Sequence, residues 1–239
     1  GRISSDADNT ILAYSTLNYL KITDSGTITG NDFDGDSQFF SQVPVGGGIG
    51  IDINASNAQI MINNNLISNY RLNQTVGPTI VNECIGIRIN GPPSVDIVNN
   101  VIKDCYDHRD GNELTSCMGI YVVSAIDIRI LGNVLSNCGV QNGTTPGNRL
   151  IFAPLGVVAQ NNLFWKTNQF LTTSAGGGVV PVATIIADPK LNTDQTLRAD
   201  SPAINAGPTD PQYNDRDGSR NDIGMFGGHN FIPDGRTTN

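Results

Sequence analysis

An asparagine returns at one phase of a short apolar pattern five times along this chain, and a repeat of that length leaves few folds open. The two most alike copies are "VNNVIKDC" at 98–105 and "LGNVLSNC" at 131–138. Asn31, Asn65, Asn100, Asn133 and Asn162 hold the phase, at separations of 34, 35, 33 and 29 residues. A second element precedes three of them: "GIDI" at 50–53, "GIRI" at 86–89 and "GIYV" at 119–122. Each sets apolar residues on either side of one variable position, the period-two signature of a strand with one buried face. Clusters of Gly, Pro, Asn and Ser lie between these elements and read as turns. A fixed period built from short strands predicts an all-β parallel β-helix, in which each coil stacks on the one before.

Stacking accounts for the asparagines. Neighbouring coils stand about 4.7–4.9 Å apart, so each Asn lies over the next and its amide can donate to the following side-chain carbonyl in a ladder. Inside a turn, such a ladder satisfies polar groups that burial would otherwise orphan. The cysteines follow the same geometry. Cys105 and Cys138 share one phase, and Cys84 and Cys117 share another, two residues before "GIRI" and "GIYV". Equivalent positions in adjacent coils fall within the Cα spacing a disulfide accepts. Stacking therefore favours Cys84–Cys117 with Cys105–Cys138. Pairing Cys105 with Cys117 across the intervening loop, or four buried thiols packed as small apolar groups, remain open.

Charge narrows the partners. Asp and Glu total 22 against 14 Lys and Arg, for a formal net charge of −8. An acidic chain with no basic run does not suit nucleic acid or an anionic membrane surface. No apolar run reaches the ~18–20 residues of a spanning helix. The chain reads as one structural domain, with coils over 1–184 and a different segment over 185–239.

That last segment carries a resemblance. The string "DPKL…LRADSPAINAG…DGSRNDIGMFGG" is similar to the closing segment of secreted bacterial right-handed parallel β-helix repeat proteins. The resemblance implies a right-handed helix, a loop-rich C-terminal cap and an extracellular or cell-surface location, without a particular chemistry. Many such proteins carry an anchoring tail, and none follows "GGHNFIPDGRTTN" in this sequence. An end cap is physically sensible, because an open solenoid end exposes strand edges and core. The N-terminal residues show no equivalent, so head-to-tail self-association through the solenoid ends, growing into filaments, is an expectation.

Catalytic patterns are missing. The paired carboxylates and strings of polygalacturonase-type enzymes are absent, and no aligned acidic cluster with a basic neighbour suggests a lyase. No catalytic residue is assigned. Two surfaces could still bind a glycan. Asp52, Arg88 and Tyr121 are the variable residues of the three glycine-led strands and should line up on one face; the ordinary alternative is a solvated cross-strand ion pair. Lys103 and Trp165, each three residues after a ladder asparagine, should share another face. The loop bearing His108, Arg109, Asp110 and Glu113 could add charge. Calcium is a candidate cofactor, because Asp215, Asp217 and Asp222, and also Asp32, Asp34 and Asp36, alternate around glycine turns as oxygen ligands do. Neither set completes a known loop, since the closing glutamate is missing. The expected function is a non-catalytic extracellular structural or adhesive protein; the alternative is a polysaccharide lyase or hydrolase, or part of one, acting on an acidic glycan.

Overall fold

The computed structural model describes residues 2–5, 10–13, 16–17, 19–35, 48–72, 82–91, 93–107, 115–124, 127–140, 149–154, 157–166, 171–172 and 179–228. They form a parallel β-helix of seven coils with no α-helix. Three seven-stranded parallel sheets run its length, joined by a short fourth sheet of three strands. Sheet 1 contains Gly48–Asn54, Asn82–Asn90 and Thr115–Val122 at its centre; sheet 2 contains Gln59–Asn63, Ser94–Val98 and Asp127–Leu131; sheet 3 contains Leu66–Ser68, Val101–Lys103 and Val134–Ser136.

Alternation fills the interior. Leu20, Ile51, Ile87, Ile120 and Ile151 are successive partners in sheet 1. Ile28, Ile62, Ile97, Ile130 and Ala159 follow one another in sheet 2, and Phe33, Ile67, Ile102, Leu135 and Phe164 in sheet 3. All fifteen are buried. The glycine heading each sheet 1 motif is required by space. A Cβ on Gly86 would stand 2.7 Å from the Gly119 carbonyl oxygen and 2.8 Å from a methyl of Ile102.

The regular period holds only in the middle of the helix. Steps between sheet 1 partners are 17 residues at Arg2↔Tyr19, 31 at Leu20↔Ile51, 36 at Ile51↔Ile87, 33 at Ile87↔Ile120, 31 at Ile120↔Ile151 and 20 at Ile151↔Leu171. The extra residues of the longer coils fall, in sequence, between sheet 3 and the next sheet 1 strand, and lengthening a connection adds little closure entropy.

The ladder is present. The side-chain amide of Asn31 donates to Oδ1 of Asn65 at 3.1 Å, Asn65 to Asn100 at 3.0 Å, Asn100 to Asn133 at 3.0 Å, and Asn133 to Asn162 at 3.0 Å. The backbone N–H of each donor residue shares the same oxygen. One coil later, Asn162 should face Thr184, whose neighbour Ile185 pairs with Leu163. The ladder stops there, and the Thr184 hydroxyl has no hydrogen-bond partner among the described residues.

Each ladder asparagine follows a residue in the left-handed region: Gly30, Asn64, Asn99, Gly132 and Asn161, with φ of 66°, 56°, 56°, 62° and 52°. Only Gly and, among side-chain-bearing residues, Asn and Asp visit this region readily. The "NN" dipeptide therefore divides its labour. Its first residue bends the chain from sheet 2 into sheet 3 and faces outward, and the second points into the ladder.

The outward asparagines hold the C-terminal segment, which lies along the flank of the helix instead of across its end. Asn161 donates to the Ala206 carbonyl at 3.4 Å, Asn99 to the carbonyls of Asp222 at 2.8 Å and Gly224 at 3.3 Å, and Asn64 to those of Met225 at 3.0 Å and Gly227 at 2.7 Å. The segment is thus a strap running back from the sixth coil to the third. Where the outward position is Gly132, buried Asn221 of the strap fills the space: its Oδ1 accepts from Asn99 at 3.1 Å. Gly224 N donates to Gly132 O at 2.8 Å. Strap residues Ala203 and Ile223 complete a second apolar cluster with Val101, Val134 and Leu163 on the outside of sheet 3. At the last coil Ile186, the partner of buried Phe164, stays 64 % exposed.

Asn99→Ala should loosen the strap by about 2–3 kcal/mol, combining lost hydrogen bonds with an alanine forced into the left-handed region. Faster hydrogen exchange at the Gly224 amide would report it, with the ladder amide of Asn100 unchanged.

Candidate functional site

Register brings one sequence-predicted row together. Lys21, Asp52, Arg88, Tyr121 and Phe152 are successive partners on the outer face of sheet 1. Asp52 is buried at 5 % exposure beneath Arg88, which grips it bidentately: Nε donates to Oδ1 at 2.9 Å and an Nη to Oδ2 at 2.8 Å. The Tyr19 hydroxyl donates to the same carboxylate at 3.2 Å, and the other Arg88 Nη reaches Glu83 at 2.9 Å. The hydrogen bond to Asp52 is the first cause that raises the Arg88 pKa, so the guanidinium stays charged. Tyr121 meets Phe152 edge to face, with ring centroids 5.3 Å apart. Glu83, Tyr19 and Phe152 were not anticipated. Glu83 sits five residues before Arg88 in the same strand, outside the four-residue motif that drew notice.

Lys103 and Trp165 also share a row, through Ser136. Trp165 leans on the apolar cluster under the strap, so it is a packing residue on that side. Asp34 belongs to the same row through Ser68, and its carboxylate accepts from the Asn69 amide at 3.0 Å; Asp32 pairs with Leu66 one row away. Asp36, His108, Arg109, Asp110 and Glu113 lie outside the described residues.

Asp215, Asp217 and Asp222 do share one turn of the strap, but their oxygens accept backbone and hydroxyl protons. Asp215 takes the N–H groups of Asp222 at 3.1 Å and Gly228 at 2.5 Å, Asp217 takes Ser219 N at 2.9 Å, and Asp222 takes Asn205 N at 2.6 Å. Among the described residues no group of three or more His, Cys, Asp or Glu is arranged to hold a metal ion. Burial is the first cause that raises the pKa of Asp215 and Asp222, whereas the Ser219 hydroxyl lowers that of Asp217. A raised carboxyl takes its proton in the folded state first, so it adds stability as pH falls through the folded pKa towards the unfolded value. A lowered one loses stability further down, as pH falls through its own folded pKa. Strap opening, followed by hydrogen exchange corrected for intrinsic rates, should therefore become rarer on mild acidification and more frequent below the ordinary carboxyl range. A steady loosening from neutral pH downwards would contradict this.

Cys84 and Cys117 are joined by a disulfide in sheet 1, with Cα atoms 4.5 Å apart, as stacking suggested. The second expected bridge is not formed. Cys105 and Cys138 stand in register one coil apart but are buried thiols, next to Tyr106 and Gly139, which pair in the fourth sheet. Their hydrogen-bonding is met otherwise, with Cys105 Sγ on the Lys103 carbonyl at 3.6 Å and Cys138 Sγ on that of Ser136 at 3.5 Å. The Cys105 pKa is pushed up, first by its hydrogen bond with Cys138 and next by burial, so that thiol stays protonated at neutral pH.

A groove not foreseen lies on the outside of sheet 2, between Ile128, Arg129, Leu131, Val158 and Gln160 and strap residues 208–213. Arg129 makes a bidentate pair with Asp96 in the adjacent coil. Its signal was present in the sequence, since Asp96 and Arg129 each precede a ladder asparagine by four residues. No protein-family model, curated protein or solved structure matches the chain. No helix among the described residues is long and apolar enough to cross a membrane.

Proposed function

We propose that this chain is a structural or adhesive β-helix protein that works outside the cell and presents rigid faces without transforming a substrate. The observation that carries the reading is the closed charge row of sheet 1. General acid–base chemistry needs a group within reach of substrate and able to exchange its proton. Arg88 instead spans two carboxylates, and Asp52 is buried beneath it. A disulfide in the core suits oxidising surroundings.

The working surfaces in this reading are the faces of the helix. In the final strand of sheet 2, Val180 N donates to Val157 O, and Val182 O accepts from Asn161 N. Both residues turn towards the sixth coil, so Pro181 between them faces the open edge, where it offers no N–H. Proline there is a common device against strand addition, and it weakens growth from that end.

The test is incubation with polygalacturonate, alginate and chondroitin sulfate, with and without calcium, alongside sedimentation of the protein alone. No chain cleavage and a monomeric boundary are expected. Release of unsaturated products, lost in Arg88→Ala, would replace the reading with a lyase acting on acidic glycans. Concentration-dependent filaments would instead make the ends the working part.

A further inference from the structure

Among the described residues few large apolar side chains are exposed, and three of them lie together. Val158, Val180 and Val182, at 41 %, 47 % and 39 % exposure, occupy the outer face of sheet 2 in its last two coils. Arg129, Val158 and Val180 are successive partners along one row, and Leu131, Gln160 and Val182 along the next. This flat, β-branched floor runs directly into the groove beneath the strap, which has a volume of about 370 Å³, within the range of small-ligand sites.

The wall opposite is built and held. Asp210 caps the short 3₁₀ turn Pro211–Tyr213, accepting from Gln212 N at 3.1 Å. The Tyr213 carbonyl accepts from buried Asn221 at 2.6 Å, and Arg220 clamps the Gly207 carbonyl from Nε at 2.9 Å. Tyr213 is thereby presented without loop ordering on binding, which is where preorganised sites gain affinity.

The guanidinium of the groove is already matched by a carboxylate. Arg129 is held by Asp96, which fixes the plane of a guanidinium that stays 52 % exposed, and Asp210 is engaged by Gln212. What the groove offers a ligand is an apolar floor, an aromatic wall, a fixed guanidinium plane, two primary amides and the Thr209 hydroxyl. An anionic ligand would find no unspent cation among the described lining residues, because Arg129 is already paired. A pyranose has one C–H face and a rim of hydroxyls, and it meets both kinds of surface. We infer that this groove binds a neutral saccharide, with Tyr213 and Val158 against its apolar face and Gln160 and Gln212 on its hydroxyls. The inference rests on the adhesive reading and names where adhesion would occur.

The experiment is amide NMR of the labelled chain titrated with cellobiose, lactose and N,N′-diacetylchitobiose, with oligogalacturonate as the acidic contrast. At least one neutral sugar is expected to give saturable shifts at Arg129, Val158, Gln160, Gln212 and Tyr213, and Tyr213→Ala and Gln160→Ala should each weaken it by about fivefold or more. Absence of saturable shifts up to about 50 mM, shifts confined to the Asp52–Arg88 row, or preferential binding of oligogalacturonate in the groove would overturn the inference. Chain cleavage would be seen separately, as new sugar signals in the same samples, and would overturn the non-catalytic reading even if the groove bound sugar.

Discussion

Asn100→Ala is expected to destabilise the protein by about 4–6 kcal/mol, a large effect for a single polar substitution. The side chain is fully buried and has no water to fall back on. Its Oδ1 accepts from both the backbone and the side chain of Asn65, each at 3.0 Å. Its amide donates to the carbonyls of Ile62 at 2.9 Å and Val98 at 3.1 Å and to Asn133 at 3.0 Å. Alanine orphans groups in three coils at once and leaves a void, and each buried group left without a partner costs about 1–3 kcal/mol. Asn100→Asp keeps the acceptor but places an anion beside carbonyl oxygens, and should be no better tolerated. Urea denaturation of the variants measures both losses. A change below about 1 kcal/mol for Asn100→Ala would mean that water or a neighbour replaces the side chain and that the ladder is not the cooperative unit.

Removing the Cys84–Cys117 disulfide should cost about 3–4 kcal/mol. The bond joins residues 33 apart in sequence, and the entropy it withholds from the unfolded chain grows with that separation. The folded state changes little, because both sulfurs are buried between sheet strands that stay paired by their own hydrogen bonds. The double variant Cys84→Ala/Cys117→Ala should therefore keep the native spectrum and unfold at lower urea. Thiol titration of the unfolded, unreduced protein should find two groups, Cys105 and Cys138. Finding none would mean that the second register pair also closes in solution.

The parts of the fold that were legible in the sequence are those that repeat. Asn65, Asn100 and Asn133 announce the ladder because stacking demands one residue type at one phase, and the same phase put Asp52, Arg88 and Tyr121 in a single row. The chemistry of that row was not legible, because it depends on Glu83 and Tyr19, which follow no period. The path of the strap along the flank was not legible for a similar reason. Its contacts join residues as far apart as Asn64 and Gly227, and no local pattern in "DGSRNDIGMFGG" indicates which surface it will cover. Trp165, expected on a sugar-binding face, packs against the apolar cluster under the strap, a contact that its own repeat does not indicate. The spacing of Asp215, Asp217 and Asp222 suggests cation ligands but does not indicate the backbone N–H groups that their oxygens accept from.

Repetitive chains gain and lose units easily, because a duplicated or deleted coil finds the same neighbours above and below. The strap removes that freedom here. Ala206 sits on Asn161, residues 222–224 on Asn99 and Gly132, and Gly227 on Asn64, so one added or missing coil between them would shift the anchors on one side of it by about 4.8 Å relative to those on the other. The strap thus acts as a gauge of copy number, and the length of this stretch of the helix is set by a segment outside the repeat.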